Sequence, residues 1–558
     1  MNFNQTRMKK IFFALFAALT LQVSAQPGPV KNVGKSVFTL TTFKADGSLL
    51  ASSHGVFVGN DGTAVSDWTP FVGAEKAVVI DASGKKMDVT DIVDANEIYD
   101  MVKFHVNGKT TGASLSAEAQ VPGTAIYLVD YAVKKPNIIT GKVTKAETFM
   151  DHYNYYVVDM DIPENVVSCP LVSGNGQVIG LLQTTRSGEL HAADVRYAQD
   201  FQVNSLTANS PIFRRCNIPV ALPDGKDDAQ LALMLSAQGS DESKYLQTVE
   251  NFIQKFPKET EGYTSRAQIH VNKGEFDAAK ADMEKAIQVA ENKADAHYRY
   301  ANLIYQKEVY LSDKPYEAWS LDRAMEEARE ADRIDPQPIY RHLQAQILYT
   351  KGSYQEAYDL FTALTQTELR NPELFYEAAQ CKTQLGADKS EVLALLDSAV
   401  VNCPKPYTSS AAPYLLARAV AFDEAGQYRK AVADYNQYDT LTYGRSNAEF
   451  YFQREQCEVN AKMFKQALDD IDHCIYLSPQ DVGFHAEKAS LLLRLNQNDE
   501  ATAAADQCLL LDEKYSTAYV IKGVAQIQKG NKKAGLALLN TAKEMGNEQA
   551  QTLLDKYK

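Results

Sequence analysis

Residues 52–106 read "SSHGVFVGNDGTAVSDWTPFVGAEKAVVIDASGKKMDVTDIVDANEIYDMVKFHV". Short runs rich in β-branched and aromatic residues, such as "HGVFVG" and "KAVVID", stop at the turn-forming "NDG" and "SGK". Such side chains fit a pleated, half-buried surface, and Gly, Asn and Asp supply tight turns. The same pattern continues through "SVFTLTTF" on one side and "NYYVVDMDI", "GNG" and "QVIGLLQTT" on the other. Residues 33–205 are therefore expected to form an all-β domain, a sandwich or a barrel.

From about residue 241 the punctuation changes. Apolar and small residues recur at helical spacing in windows such as "YRKAVADYNQYDTL" and "FKQALDDIDHCIYL". Between the two halves, residues 206–240 include "NIPVALPDGKDDAQ", whose Pro, Gly and Asp content predicts a linker.

The helical half repeats itself. Ala279, Ala324, Ala357, Val392, Ala431, Ala467, Ala501 and Gly535 fall into one file, with separations of 45, 33, 35, 39, 36, 34 and 34 residues. A second file follows seven residues later: Ala286, Ala331, Leu364, Ala399, Tyr438, Cys474, Cys508 and Ala542. A pair of antiparallel helices cannot cover its own apolar face, and small residues at the crossings let successive pairs stack. Cys474 and Cys508 then read as buried packing residues. "QKEVYLSDKP" (306–315) lies in the longest unit and is expected as an enlarged loop between its helices, and 546–558 as a polar capping helix.

These files resemble the tetratricopeptide repeat, a helix-turn-helix unit of about 34 residues. The resemblance covers 241–545 as about eight units. It implies an all-α solenoid without catalysis, binding a peptide or protein partner along the first helix of each pair. The residues it places on that lining are Tyr298, Asn302 and Tyr305, then His342, Gln346 and Tyr349, then Phe452 and Gln456.

At the start of the chain, Arg7, Lys9 and Lys10 precede the apolar "IFFALFAALTL" and the small-residue exit "VSA", so residues 1–25 are expected to be a secretory signal. The apolar run is too short to span a bilayer, which needs about 20 residues. Export to a periplasm or beyond follows as an expectation. Loss of three cations would take the net charge from -14 to -14 minus 3, or -17. An acidic chain without Lys/Arg clusters repels phosphate backbones, so nucleic acid is not an expected partner. The seven cysteines form no CxxC pair and no zinc-type spacing with His, so neither a metal nor another cofactor is indicated. Cys169 and Cys216 could oxidise together in an exported chain, although an odd count leaves a thiol over.

The β half carries a more specific order of motifs. "SHG", "VFV", "NDG", "AVSDWT", "FVGA", "ASGK" and "YDMVKF" follow one another, and "VVSCPLVSGNGQVIG" (166–180) comes later. This order resembles trypsin-like proteases of the HtrA type, with their nucleophile loop ahead of a Pro-Leu. The resemblance implies a double β-barrel and a Ser-His-Asp triad. Asp100 matches the acid. Thr69 stands at the base position, beside Trp68, and an alcohol is no base near neutral pH. Val167, three residues before Pro170, stands at the nucleophile position and offers no lone pair. Asn165 and Val166 replace the Gly and Asn that shape the oxyanion hole. Ser168 and Cys169 fall out of register, and His54, His105, His152 and His191 lie away from the matching strand end.

The expectation is a multidomain chain in which an inactive trypsin-like barrel, a docking or peptide-gripping module, precedes a partner-binding repeat array. The competing class is a working serine endopeptidase to which the array delivers substrates.

Overall fold

The computed structural model describes residues 27–557 except 133–134, 150–151, 164–165, 167, 185–187 and 240. The expected signal and Val167 lie outside the described residues. The chain divides into two compact units, residues 1–292 and 293–558.

The first unit opens with twelve strands: β1 (Val37–Phe43), β2 (Leu49–Phe57), β3 (Thr63–Ser66), β4 (Lys76–Asp81), β5 (Lys86–Asn96), β6 (Met101–Val106), β7 (Ala125–Ala132), β8 (Lys135–Phe149), β9 (Tyr153–Asp159), β10 (Pro170–Ser173), β11 (Val178–Thr184) and β12 (Leu190–Asp194). They close into two antiparallel barrels, β1-β2-β3-β6-β5-β4 and β10-β11-β12-β9-β8-β7. Counted from one to six within each, both barrels run 1-2-3-6-5-4. Of the two architectures left open by the strand pattern, the barrel is realised, and the repeated order is that of a trypsin-like double barrel.

Each barrel has its own core. Phe38, Phe57, Trp68, Phe71 and Phe104 fill the first, with the Phe38 and Phe57 rings 4.6 Å apart. Ile126, Leu128, Tyr156, Leu171 and Leu182 fill the second. A third cluster joins Val37, Val56, Val65 and Met101 of the first barrel to Val172, Val178 and Leu181 of the second. Strand β2 thus buries both faces, with Phe57 inside its barrel and Val56 against the other, which explains why "HGVFVG" reads as a continuous apolar run. Gly55 is required there, since a Cβ would sit 2.4 Å from the Phe38 ring and 2.5 Å from the Val65 carbonyl oxygen.

The stretch 206–240 does more than link. Phe213, Cys216 and Ile218 complete the first core, and Ile92 N–H donates to the Pro219 carbonyl at 2.8 Å. A helix, Lys226–Ala237, follows and packs with Glu242–Lys255 through Ala229, Ala232, Leu233, Val249 and Phe252. Proline and glycine shape this segment, but aromatic and aliphatic side chains anchor it. The proposed Cys169–Cys216 disulfide is not formed: the two thiols are free and lie in different cores.

Helices pair regularly from Thr260–Lys273 and Phe276–Val289 in the first unit to Ser516–Gln528 and Lys532–Glu544 in the second, with Glu548–Tyr557 last. The first small-residue file is buried where expected at Ala279, Ala324, Ala357, Ala431, Ala467, Ala501 and Gly535. In Lys389–Val401 the register is offset by one, so Leu393 is buried and Val392 half-buried. Tyr438 is likewise half-buried, while Tyr435 takes the deep position. Cys474 and Cys508 are fully buried packing residues. The expected loop at 306–315 begins later: helix Lys293–Tyr310 runs through its first half, and Trp319 Nε1 donates to Tyr300 Oη at 3.0 Å, tying the loop's end back. Among the described residues no helix is long and apolar enough to cross a membrane.

Candidate functional site

The two barrels enclose a cleft of about 450 Å³, lined by Ser53, Asp67, Thr69 and Asp100 of the first and by Tyr155 and Gln183 of the second. Strand β3 ends at Ser66, and the chain turns through Asp67 and Trp68 into a 3₁₀ turn, Thr69–Phe71. Trp68 is buried against Phe71 and Phe213, which fixes the residues on either side of it at the cleft. Asp100 precedes β6 with φ of 48°, a conformation Asp tolerates better than most residues.

The base and acid positions meet. Thr69 N–H and Thr69 Oγ1 both donate to Asp100 Oδ1, at 2.6 and 2.8 Å. The carboxylate that would orient an imidazole is engaged by a threonine, which has no nitrogen to accept a proton.

Beneath this pair lies a group that the triad comparison did not anticipate. Ser168, fully buried with φ of 62°, donates through Oγ to Asp67 Oδ2. Ser53 Oγ in turn donates to Ser168 Oγ at 2.7 Å, and Ser168 N–H donates to the Leu182 carbonyl at 2.8 Å. Burial, and then the charge of Asp100, hold the Asp67 carboxyl well above the usual carboxylate range. The partners of Ser168 are thus a carboxyl group, a second hydroxyl and a carbonyl, with no imidazole among them.

Three of the domain's histidines are engaged elsewhere. His105 Nδ1 is 2.6 Å from Asp91 Oδ1, His191 lies 3.0 Å from Glu189 and stacks on Tyr155, and His152 is exposed beside Tyr153. His54 differs: its imidazole, Asp130 and Cys169 have one ligand atom each within 4.8 Å of the others.

In the second unit, the expected lining residues stand on the first helices of their pairs. On Lys293–Tyr310, the Tyr298 ring lies 5.1 Å from Tyr340, Asn302 is half-buried, and Tyr305 Oη shares a 3.3 Å hydrogen bond with Thr350 Oγ1. On Pro338–Thr350, His342 Nε2 lies 2.6 Å from Glu377 Oε2 while Gln346 Nε2 donates to Glu377 Oε1 at 2.8 Å; Tyr349 packs on Tyr354. Burial, the largest single effect, would lower the His342 pKa, but the bond to Glu377 together with the charges of Glu377 and Glu373 holds the imidazole above its ordinary value. On Ala448–Asn460, three pairs further on, Phe452 lies 5.4 Å from Phe484, and the exposed Gln456 donates to Glu455 Oε2 at 2.6 Å. Glu377, from the next first helix, gathers His342 and Gln346, and the spacing pattern gave no sign of it.

Residues 260–293 and residues 487–550 each match a profile described as the tetratricopeptide repeat. The helical region is a tetratricopeptide repeat array. A solved structure of an HtrA-type protease, AlgW, with a tripeptide is similar to this chain at 15% sequence identity and a TM-score of 0.28, over 31% of this chain and 60% of that one. No curated protein matches.

Tetratricopeptide repeats are protein-interaction modules.

Proposed function

We propose that this chain is an exported protein-binding scaffold. The tetratricopeptide array holds a peptide or partner segment along Tyr298, Asn302, Tyr305, His342, Gln346, Tyr349, Phe452 and Gln456. The double barrel acts as a docking or peptide-gripping module without peptide hydrolysis. The observation that carries this reading is the double hydrogen bond from Thr69 to Asp100. It occupies the acid where general-base catalysis needs an imidazole, and the buried Ser168 hydroxyl is turned into Asp67 instead. The acidic charge of -14 favours partners with basic segments.

Fluorescence polarisation of the full chain against an extended-peptide library tests the reading. Saturable binding that weakens about tenfold in Gln346→Ala or Tyr305→Ala supports it, a loss of the size expected for one interface anchor of about 1.4 kcal/mol. Binding unaffected by either change, or peptides recovered cleaved, contradicts it. Cleavage would favour the endopeptidase reading.

A further inference from the structure

We propose that His54, Asp130 and Cys169 form a binding site for a zinc-type divalent transition metal that staples the two barrels together. The three side chains come from three separate places in the two barrels. His54 lies on β2 of the first barrel, Asp130 on β7 of the second, and Cys169 just ahead of β10. One nitrogen, one oxygen and one sulfur lie within 4.8 Å of one another.

The strand geometry explains the meeting. β10 pairs with β7 at Leu171↔Leu128. Continued by two residues, that register sets Cys169 opposite Asp130, because both pairs sum to 299. The Cys169 backbone is pinned from the other side: its carbonyl accepts from Leu182 N–H at 3.0 Å, and Ser168 N–H donates to the Leu182 carbonyl at 2.8 Å. His54 is held in the β1–β2 ladder opposite Thr39, and its carbonyl accepts from Ser66 Oγ at 2.5 Å. His54 and Asp130 stand on strands, which hold ligands more closely than loops do.

The distances suit a small ion. Zinc binds thiolate sulfur at about 2.3 Å and carboxylate oxygen at about 2.0–2.2 Å, so tetrahedral angles separate the two by about 3.6 Å. Cys169 Sγ and Asp130 Oδ1 are 3.9 Å apart, a few tenths of an ångström from that edge. The same gap is long for a thiol–carboxylate hydrogen bond. Imidazole with thiolate and carboxylate is a donor set that favours zinc over magnesium or calcium, which take oxygen ligands.

Cys169 is fully buried among Leu128, Val166, Ile179 and Leu182, and a fully buried sulfur gives a substrate carbonyl no approach. On binding, a divalent cation would displace the thiol proton to solvent, form the metal–sulfur bond, and offset the carboxylate charge. Nothing in the spacing announces the site, since its ligands lie 76 and 39 residues apart (130 minus 54, 169 minus 130). The proposal holds whether or not the barrels grip peptide.

The test uses the purified full chain, stripped of metal and then titrated with Co²⁺ and with Zn²⁺. The expected result is binding of about one equivalent, with a sulfur-to-cobalt charge-transfer absorption that Zn²⁺ abolishes. The absorption is lost in Cys169→Ser and weakened in Asp130→Asn and His54→Gln, and it persists in Cys216→Ser. Zinc also raises the unfolding temperature of the barrels in the wild-type chain, a readout that does not depend on any variant folding. Absence of the charge-transfer band, its survival in a Cys169→Ser chain whose circular dichroism is native, or an unfolding temperature of the wild-type barrels unchanged by zinc would overturn the proposal. Stoichiometric reaction of the metal-free Cys169 with a peptidyl chloromethyl ketone would also overturn it, in favour of a thiol–imidazole pair.

Discussion

Thr69 holds Asp100 twice, through its backbone N–H at 2.6 Å and its hydroxyl at 2.8 Å, both to the same carboxylate oxygen. The hydroxyl bond is one that Ser can replace and Ala cannot. Thr69→Ala is expected to lower stability to urea by about 1 kcal/mol, with Thr69→Ser close to wild type. Equal loss in both variants would mean that the methyl packing, rather than the hydroxyl, matters there.

Ser168 combines a buried hydrogen bond with a left-handed backbone. Ser168→Ala removes the hydroxyl that donates to the Asp67 carboxyl while keeping the strained φ of 62°. It is expected to cost about 1–3 kcal/mol. Ser168→Gly loses the same bond but relaxes the backbone, so it should be the milder change by about 1 kcal/mol. The order of the two midpoints in urea checks this, and Gly at or below Ala contradicts it.

Glu455 and Glu458 are buried in the repeat array, each with one carboxyl oxygen lacking a partner. Burial and then Glu487 push Glu455 up to about 8, and burial and then Asp470 push Glu458 up to about 8. Both pKa values are raised above the unfolded value of 4.5, so the folded chain binds more protons than the unfolded chain between those limits. Stability is therefore greatest below about pH 4.5 as far as these groups are concerned, and falls as pH rises towards about 8. The unfolding temperature of the array should be lower at the alkaline end of this window than in its middle. Glu455→Gln with Glu458→Gln should flatten that decline; an unchanged slope would assign it to other groups.

Gly535 sits at a helix crossing. A Cβ there would lie 2.5 Å from the Gly523 carbonyl oxygen and 2.5 Å from an Ile527 side-chain carbon. Alanine is the better helix former by about 1 kcal/mol, yet Gly535→Ala should destabilise the array by about 1–3 kcal/mol because the crossing must open. Thermal melts of the full chain read the sign, and a gain in stability would show that the crossing has room.

The sequence made some of this legible for physical reasons. Ala467 and Ala501 could be placed because every repeat needs a small residue where two helices touch, and both are fully buried. Asp100 and Thr69 could be paired because strand ends carry them to one cleft. Val392 was misplaced by one because Leu393 faces the core in a helix whose unit spacing is already irregular. The segment around Phe213 looked like a linker because its Pro and Gly are local signals, while the strands that bury Phe213 and Ile218 lie far away in sequence. Ser168 with Asp67, and His342 with Glu377, are separated by 101 and 35 residues. Contacts of that range follow from the folded register and not from any motif.

The proposal at the centre is that the cleft of the double barrel holds no reacting nucleophile. Labelling the purified full chain with a fluorophosphonate probe, followed by peptide mass mapping, tests it most directly. The account predicts no stoichiometric label on Ser53, Ser168 or any other serine of the barrels, and no casein cleavage by the same preparation. A one-to-one adduct on a barrel serine, together with casein hydrolysis that ends when that serine is replaced by alanine, would contradict it.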